Sequence, residues 1–427
     1  MPVRRESLFF HRDFRLLWLG DTVSQFGSTV TNTAVPLLAA LVLAATPFQM
    51  GLLGAADTAA FLLVGLPAGA WVDRMRRRPL MLSADLGRAL LLASIPLAWW
   101  FGVLTLTQLI LIGLAVGVLT VFFDVAYQSF LPALVSRDKL MEGNSKLQAS
   151  QSVAYVSGPA IGGWLTQVIG AANAIGLNAL GFLWSASCLF RIRTVEPAVA
   201  RGPDRKLRRE IAEGLRFVFG NRSLVGIVGC TATSNFSTSI TSAVMVLVLT
   251  RQLGASAGVV GLLLAGGGIG GVVGALAASR VAKWLGQGRV IWLSVLVTAP
   301  FSVLLPLAGR GWLLLLFAIG WFANSFGGVV YNIAQVSFRQ AICPDRLLGR
   351  MNASVRFMVW GTLPLGALVG GVLGTLIGIH PTLWVGTVGV LLSPLPVLLS
   401  PLRRLRDLPT GVDETDDEAD VEPEKVV

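Results

Sequence analysis

Charged residues, histidine and paired cysteine are scarce in this chain, and their scarcity excludes several classes of protein. Charged side chains make up 13% of the 427 residues, whereas hydrophobic side chains make up 54%. A water-soluble fold has too little interior to bury that much apolar surface. The only histidines are His11 and His380, and the cysteines Cys188, Cys230 and Cys343 form no metal-binding spacing. We therefore predict no metal, no cofactor and no catalytic centre.

Long apolar runs are abundant instead. A helix needs about 20 apolar residues to cross about 30 Å of hydrocarbon. Twelve such runs follow one another, and we number them span 1 to span 12: 14–43, 48–71, 80–101, 104–131, 146–168, 172–191, 223–250, 257–279, 289–309, 311–338, 351–376 and 381–401. The first run is too long for a cleaved signal peptide. The sequence thus predicts an all-α polytopic membrane protein with twelve transmembrane helices.

The position of the basic residues predicts the orientation of these spans. The net charge of +11 would suggest a nucleic-acid partner in a soluble protein. Here the arginines and lysines cluster in alternate loops, and the remaining loops contain only Arg251 and Arg310. This is the positive-inside pattern of a multi-pass membrane protein. We expect a plasma-membrane protein of a prokaryotic inner membrane, with both termini cytoplasmic, lipid contacts and no nucleic-acid partner.

The two halves of the sequence repeat each other. An offset of 210 aligns Ser24–Thr31 with Ser234–Thr241, and an offset of 208 aligns Asp124–Phe130 with Asn332–Phe338. Polar residues in register inside apolar spans indicate a duplicated six-helix unit. We therefore divide the chain into a six-helix bundle (1–191), a cytoplasmic linker (192–222), a second six-helix bundle (223–402) and an acidic, disordered tail (403–427).

The linker is basic and contains an amphipathic stretch. Apolar residues at Leu207, Ile211, Leu215 and Val218 have helical spacing between charged residues. This pattern predicts a helix that lies on the anionic inner leaflet of the membrane. The charges of the linker also serve as a topology signal, and the sequence does not separate that role from regulation.

Two short motifs stand out in the sequence. The loop after span 2 contains Gly69, Asp73, Arg74, Arg77 and Arg78, and span 5 contains Gly158, Pro159, Gly162 and Gly163. The first resembles motif A of the major facilitator superfamily, the second resembles motif C of its exporters, and the similarity extends over about residues 10–402. The resemblance is nearest to the branch of enterobactin exporters and macrolide efflux proteins. It implies a monomeric transporter that works by alternating access.

Charged residues near the cytoplasmic ends of spans 2 to 4 predict a latch between helices. Asp85, Arg88 and Asp124 share a depth of about two turns from that face, and Arg77 lies in the adjoining loop. We predict that these four residues, with Asp73 and Arg74, form an inner charge cluster that stabilises the outward-open state. The competing interpretation is that the loop arginines act only as topology signals. Likewise, the glycines and proline of span 5 either seal the path or simply pack the helix tightly.

Ionisable residues inside spans are costly and indicate function. The acids in question, Asp21, Asp57, Asp85 and Asp124, all belong to the first half. A carboxyl group in a low-dielectric cavity changes its proton affinity when its exposure or a nearby cation changes. Asp21 and Asp57 are therefore our candidates for proton coupling, against the alternative that they bond to neighbouring hydroxyl groups. Further polar residues are expected to line the cavity: Gln25, Asn32, Tyr127, Gln151, Tyr155, Asn235, Asn332, Gln335 and Arg356.

These observations together predict a secondary active exporter. A mostly apolar cavity with scattered polar groups suits a small amphipathic organic molecule such as a drug, a siderophore or a metabolite. We expect export in exchange for protons. The alternative is a facilitator or lipid flippase of the same fold that uses no proton. An ATP-driven pump is excluded because the chain lacks a G-x-x-x-x-G-K-[ST] loop.

Overall fold

The computed structural model describes residues 8–72, 74–135, 139–194 and 207–406. Within these ranges the chain is helical, with short turns and no β-strand. The helices are α1 (Arg12–Leu37), α2 (Pro47–Val72), α3 (Arg77–Trp100), α4 (Leu106–Leu134), α5 (Leu140–Ile169), α6 (Ala171–Arg191), α7 (Leu207–Gly220), α8 (Arg222–Leu247), α9 (Ala257–Leu285), α10 (Gln287–Thr298), α11 (Leu314–Ile342), α12 (Asp345–Trp360), α13 (Thr362–Leu376), α14 (Ile379–Leu392) and α15 (Leu395–Leu398). The predicted tail beyond residue 406 lies outside the described residues.

Ten helical stretches of the described chain are long and apolar enough to cross a membrane. They correspond to predicted spans 2 to 4 and 6 to 12. Helices α1 and α5 do not reach the same hydropathy because they carry many hydroxyl, amide and charged side chains. Both nevertheless pack among the other helices, α1 against α5 and α6, and α5 against α9. Their polar residues are therefore directed to the interior of the helical assembly as well as to its surface.

Side-chain caps fix where several helices begin. Thr105 accepts a hydrogen bond from the backbone N–H of Gln108 at the start of α4, and Asn221 caps α8 in the same way. Predicted span 11 comprises α12 and α13, which meet at Gly361, where φ of −60° and ψ of −21° are still helical.

A pair of π-helical turns occurs at equivalent places in the two halves. The turn Leu38–Val42 extends α1, and the turn Val248–Gln252 extends α8. The residues that follow, Ala44 and Gly254, both have positive φ, at 49° and 70°. Each of these pairs is separated by 210 residues, the offset found in the sequence. Alanine is strained in this region of backbone conformation, whereas glycine is not.

The first six helices contact the later helices mainly along two seams, α5 with α9 and α2 with α13. The seams are close backbone contacts. A Cβ atom on Gly163 would lie 2.7 Å from the Cα atom of Gly261, and one on Gly51 would lie 2.7 Å from the Cα atom of Gly371. Small residues permit this approach between membrane helices. Both contacts lie at the end of the helices where α2 begins and α5 ends. We call this end the closed face, and the other end, where α2 ends and α3 begins, the arginine-rich face.

The amphipathic helix of the linker packs on protein. Helix α7 lies against α12, and Val218 is fully buried in a cluster with Met351 and Val355. Arg350 of α12 forms an ion pair with Glu213 of α7. Val218 of the predicted apolar stripe is therefore covered by α12, a partner that amphipathic spacing does not identify.

Candidate functional site

Three cavities connect within the helical assembly. The first has a volume of about 970 Å³ and lies between α1, α4 and α5 towards the arginine-rich face. A second, of about 360 Å³, shares Ser28, Thr120 and Asp124 with the first. A third, of about 390 Å³, shares Asn32 and Asp57 with the second and extends towards the closed face. The shared lining residues make one continuous path from polar to apolar surroundings.

Arg88, which lines the first cavity, belongs to a buried ion pair. Arg88 donates a hydrogen bond to Asp85 at 2.5 Å, and both side chains are almost fully buried. The guanidinium of Arg88 also lies over the rings of Phe123 and Phe182, at 4.4 and 4.2 Å from their centroids. A cation between two aromatic faces is favourably placed by the ring quadrupoles. The pair is therefore fixed by packing as well as by charge.

Two further acids surround this pair. Asp21 is 6% exposed, accepts a hydrogen bond from Gln25 at 3.5 Å, and lies within electrostatic range of Asp85 and Asp124. Asp124 faces the cavity and interacts electrostatically with Arg88 and Arg356. The first half thus brings three carboxylates around one buried arginine.

The residues of the predicted motif A loop have different surroundings. Arg78 donates hydrogen bonds to the carbonyls of Leu189 and Phe190 at 2.9 and 2.5 Å, and so caps the end of α6. Arg77 begins α3, roughly 12 Å along the helix from Asp85. Arg74 is exposed in the turn before it. Asp73 and the side-chain surroundings of Gly69 lie outside the described residues, so the predicted latch is described only for Asp85, Arg88 and Asp124.

Asp57 lies apart from the buried pair, on α2 at the junction of the second and third cavities. Its side chain is exposed to the cavity and makes no hydrogen bond or ion pair with any described residue. Desolvation by the surrounding helices is the one perturbation that acts on it. Among the intramembrane acids, Asp57 is therefore the carboxylate whose charge no described side chain compensates.

An aromatic pair lies on the wall of the second cavity near Asp57, and an arginine packs against this pair. Phe61 of α2 and Trp360 of α12 pack with ring centroids 4.5 Å apart. The guanidinium of Arg356 lies 4.9 Å from the Trp360 ring and 5.7 Å from the Phe61 ring. This cluster joins the first half of the chain to the second on the side of the arginine-rich face.

The predicted cavity residues fall into two groups. Gln25, Tyr127 and Gln151 line the first cavity, and Asn32 lines the second and third. The others line none of the three cavities: Asn235 donates to the carbonyl of Val359, Gln335 donates to Asn332, and Tyr155 is 67% exposed at the surface of α5. Asn235 thus bonds to a neighbouring helix, and Gln335 and Asn332 bond to each other within α11.

Several lining residues were not predicted from the sequence. They include Thr120, which lies one helical turn from Asp124, and Phe61, which lies one turn from Asp57. Positions i and i+4 share a helix face, so this spacing from the predicted acids is the signal that identifies them. Ser28, Asn178 and Trp360 also line the path. No group of three His, Cys, Asp or Glu side chains in the described chain is arranged to hold a metal ion.

The glycines of predicted motif C join α5 to two neighbours. Gly158 and Gly162 face Thr29 and Val30 of α1, whereas Gly163 faces Gly261 of α9. The carbonyl of Pro159 also approaches Gly261. The motif therefore provides the close contact between α5 and the second half at the closed face.

Comparison with known proteins identifies the family. Residues 7–421 match the family model described as a transmembrane secretion effector. A multidrug efflux pump, Tap of Mycolicibacterium fortuitum, is 29% identical over 398 residues, which cover 90% of this chain and 93% of that protein. An enterobactin exporter, EntS of Escherichia coli O1:K1, is 27% identical over 415 residues, which cover 95% and 96%.

Solved structures share the fold. A bacterial homologue of the iron transporter ferroportin, crystallised in an inward-facing state, superposes with a TM-score of 0.74 at 16% identity over 91% of this chain and 98% of its own. The nucleoside transporter NupG, as its D323A mutant, gives a TM-score of 0.75 at 9% identity over 90% and 99%. The chain belongs to the transmembrane secretion effector family of the major facilitator superfamily, and so to the membrane transporters rather than the enzymes.

Proposed function

We propose that this protein is a monomeric exporter of the prokaryotic inner membrane that works by alternating access. In this proposal α1 and α5 complete a set of twelve spans, arranged as bundles of residues 1–191 and 223–402 with both termini in the cytoplasm. The basic residues of the arginine-rich face support this orientation, because positively charged loops remain on the cytoplasmic side.

The observation that carries the proposal is the connected path of cavities. It is wide and polar towards the arginine-rich face and narrow and apolar towards the closed face. At the closed face the two glycine seams bring the backbones of both halves into contact. Such an arrangement corresponds to an inward-open state. Separation of the seams, with closure at Phe61 and Trp360, would expose the same path to the outside.

The acids of the first half support coupling to protons. We assign Asp21 and Asp57 to the exchange, because each lies on or beside the path in surroundings of low dielectric constant. Their protonation responds to which side of the membrane the cavity faces and to the cations nearby. The latch of Asp73, Arg74, Arg77, Asp85, Arg88 and Asp124 would stabilise the outward-open state.

The substrate that fits this path is a small amphipathic organic molecule. The third cavity offers mostly apolar side chains, and the first offers hydroxyl, amide and carboxylate groups. Relatives over nearly the whole chain carry the names of a multidrug efflux pump and an enterobactin exporter, which supports export of a molecule of this class.

Reconstitution into proteoliposomes tests the function. Lipophilic drugs and catechol siderophores would be added with and without an imposed pH gradient, and their accumulation measured. We expect uphill movement that needs the gradient and stops when an uncoupler collapses it. Downhill movement of a compound at the same rate with and without the pH gradient would overturn proton coupling and favour a facilitator or flippase. No movement of any compound would contradict transport of this class.

A further inference from the structure

We propose that the second half of the protein contains a binding site for one small monovalent cation such as sodium. The site is a pocket of about 50 Å³ bounded by α8, α10, α11 and the end of α14. Its described lining residues are all different from those of the three connected cavities. The inference goes beyond the proposed function, and its test requires no transport.

The four helices around this pocket correspond to four helices of the first half. The sequence repeat already relates α8 to α1 and α11 to α4. Helices α3 and α10 begin 210 residues apart, at Arg77 and Gln287. Gly170 and Gly378 precede α6 and α14 at an offset of 208, and both have positive φ, at 85° and 92°. The pocket can therefore be compared with the first half residue by residue.

The pocket takes the place of the buried ion pair of the first half. Thr298 corresponds to Arg88, the arginine that lies between two phenylalanine rings. Other residues around that pair have counterparts in the pocket wall: Val295 for Asp85, Tyr331 for Phe123, Val390 for Phe182 and Ser393 for Ser185. A long cationic side chain is thus replaced by a short hydroxyl, with a pocket beside it. One half holds a fixed cation here, and the other half has room for a mobile one.

The polar side chains of the pocket wall already donate hydrogen bonds to the backbone. The hydroxyls of Thr298 and Ser393 and the amide nitrogen of Asn324 each donate to a carbonyl in the preceding helical turn, at 2.7, 2.8 and 2.8 Å. The oxygen lone pairs of these three side chains remain as acceptors for a ligand. Such oxygens attract a cation and disfavour an anion.

The two helices that lead to these hydroxyls lose regular α-helical hydrogen bonding at the pocket. After Thr298, α10 continues as a 3-10 helix, Ala299–Leu304, and α14 ends at Leu392. Pro300 and Pro394 explain both changes, because proline has no N–H to bond the carbonyl four residues earlier. In the first half, α3 and α6 continue without such a change. Backbone carbonyls released inside a membrane need a new partner, and a cation bound beside them would be one.

Charge and size decide which cation fits. The described residues that line the pocket carry no carboxylate, whereas sites for divalent cations rely on carboxylates. Neutral oxygen dipoles alone hold monovalent cations in channel filters. A volume of about 50 Å³ holds a small ion with at most a few waters, since one water needs roughly 10–15 Å³. An organic cation, whose sites measure about 300–1,000 Å³, is too large.

Thermal melting of the purified full-length protein tests the site. Melting temperatures would be measured in detergent at one pH and one ionic strength, with choline chloride replaced stepwise by sodium chloride. Choline is too large to enter the pocket. A cation that binds only the folded protein stabilises it increasingly as its concentration exceeds Kd, so we expect an increase of at least about 2 °C from choline to sodium. Equal melting temperatures in the two salts would overturn the inference.

Two substitutions assign the effect to this pocket. Thr298→Val and Asn324→Val each remove an oxygen, and valine is also the first-half residue that corresponds to Asn324. Each should reduce the sodium-dependent increase by more than half. The matched control is Thr375→Val in α13, because this threonine also donates to a carbonyl of the preceding turn, at 3.0 Å, and lies outside the pocket. It should retain the full increase.

Melting in choline establishes that each variant is folded. If either substitution prevents folding, Ser393→Ala removes a third oxygen of the same wall and takes its place. A sodium-dependent increase that persists unchanged in the folded pocket variants, or that is lost equally in Thr375→Val, would overturn the inference. Because the experiment uses no gradient and no substrate, either result leaves the transport proposal untouched.

Discussion

The two halves of the chain place different side chains at equivalent positions. Asp57 corresponds to Gly267 at an offset of 210, and Asp124 corresponds to Asn332 at 208. In the structure the first-half acids face cavities, whereas Asn332 accepts a hydrogen bond from Gln335, and Gly267 is covered by Trp321. The first half therefore places carboxylates on cavity walls, whereas the polar group at the equivalent position of the second half bonds within its own half.

The seams between the halves show the opposite behaviour, because both halves contribute to them equally. In each of the pairs Gly163 with Gly261 and Gly51 with Gly371, a Cβ atom on either glycine would lie within 3.0 Å of the Cα atom of the other. The intramembrane acids thus lie in the first half, whereas both halves contribute glycines to the contacts at the closed face. Four experiments separate these two contributions, from the largest expected effect to the smallest.

The largest effect is expected from Gly163→Leu. Its Cβ atom alone would overlap the backbone of Gly261, so the closed face must separate. Transport should fall more than about 100-fold, measured as uptake into inverted vesicles. The matched control is Gly328→Leu in α11, where a Cβ atom would meet nothing within 4 Å. Retention of transport by Gly163→Leu would contradict a tight seam.

The next effect is expected from Asp21→Asn, which changes a first-half acid to a neutral isostere. The equivalent second-half position is Thr231, which is hydrogen bonded to Tyr331 at 2.8 Å. Asp21→Asn should reduce gradient-driven transport by about tenfold or more while ligand binding persists, because one proton carrier is lost. Thr231→Val should change transport less than threefold. Equal losses in the two variants would remove the distinction between the halves.

A smaller effect is expected from Arg251→Gln at the closed face. Arg251 of the second half donates hydrogen bonds to the carbonyls of Ala40 and Ala45 at 3.0 and 2.9 Å. Charged hydrogen bonds of this kind contribute about 1.5–3 kcal/mol. A cysteine introduced at Met50, inside the third cavity, should therefore react about tenfold faster with an impermeant maleimide added from that side. Arg310→Gln is the control, since Arg310 bonds to Gln252 in its own half. Equal reactivity in the Arg251 and Arg310 variants would show that Arg251 does not hold this face closed.

The smallest effect is expected from Glu213→Gln, which removes the ion pair between α7 and α12. Both side chains are about one-third exposed, so solvent weakens their attraction. We expect a loss of at most about 1 kcal/mol in stability, visible as a small decrease in melting temperature. A loss of transport comparable to that of Asp21→Asn would instead give the linker a direct part in the cycle.

Much of the fold was predictable, because long apolar runs and charge asymmetry report directly on membrane helices. Ten of the expected spans are helices of sufficient length and hydropathy. The contact of α7 with α12 was missed, because an amphipathic stripe shows that a partner exists but not whether that partner is lipid or protein.

The residues of the candidate site were predictable from the sequence only where they are charged. The intramembrane acids stand out in the sequence because ionisable residues are rare in spans. Amides do not reveal whether they face a cavity or another helix: Asn32 lines the path, whereas Asn235 bonds to the backbone of α12. That choice depends on helix rotation and packing, which local spacing leaves open. The pairing of Arg88 with two phenylalanine rings has the same origin.

The most direct test of the account is proton release on substrate addition to energised inverted vesicles. Wild-type protein would be compared with Asp21→Asn and Asp57→Asn, using a panel of amphipathic organic molecules. The account predicts substrate-triggered proton movement in the wild type that these substitutions abolish, while ligand binding is retained. Solute flux without proton movement, unchanged in both variants, would contradict it.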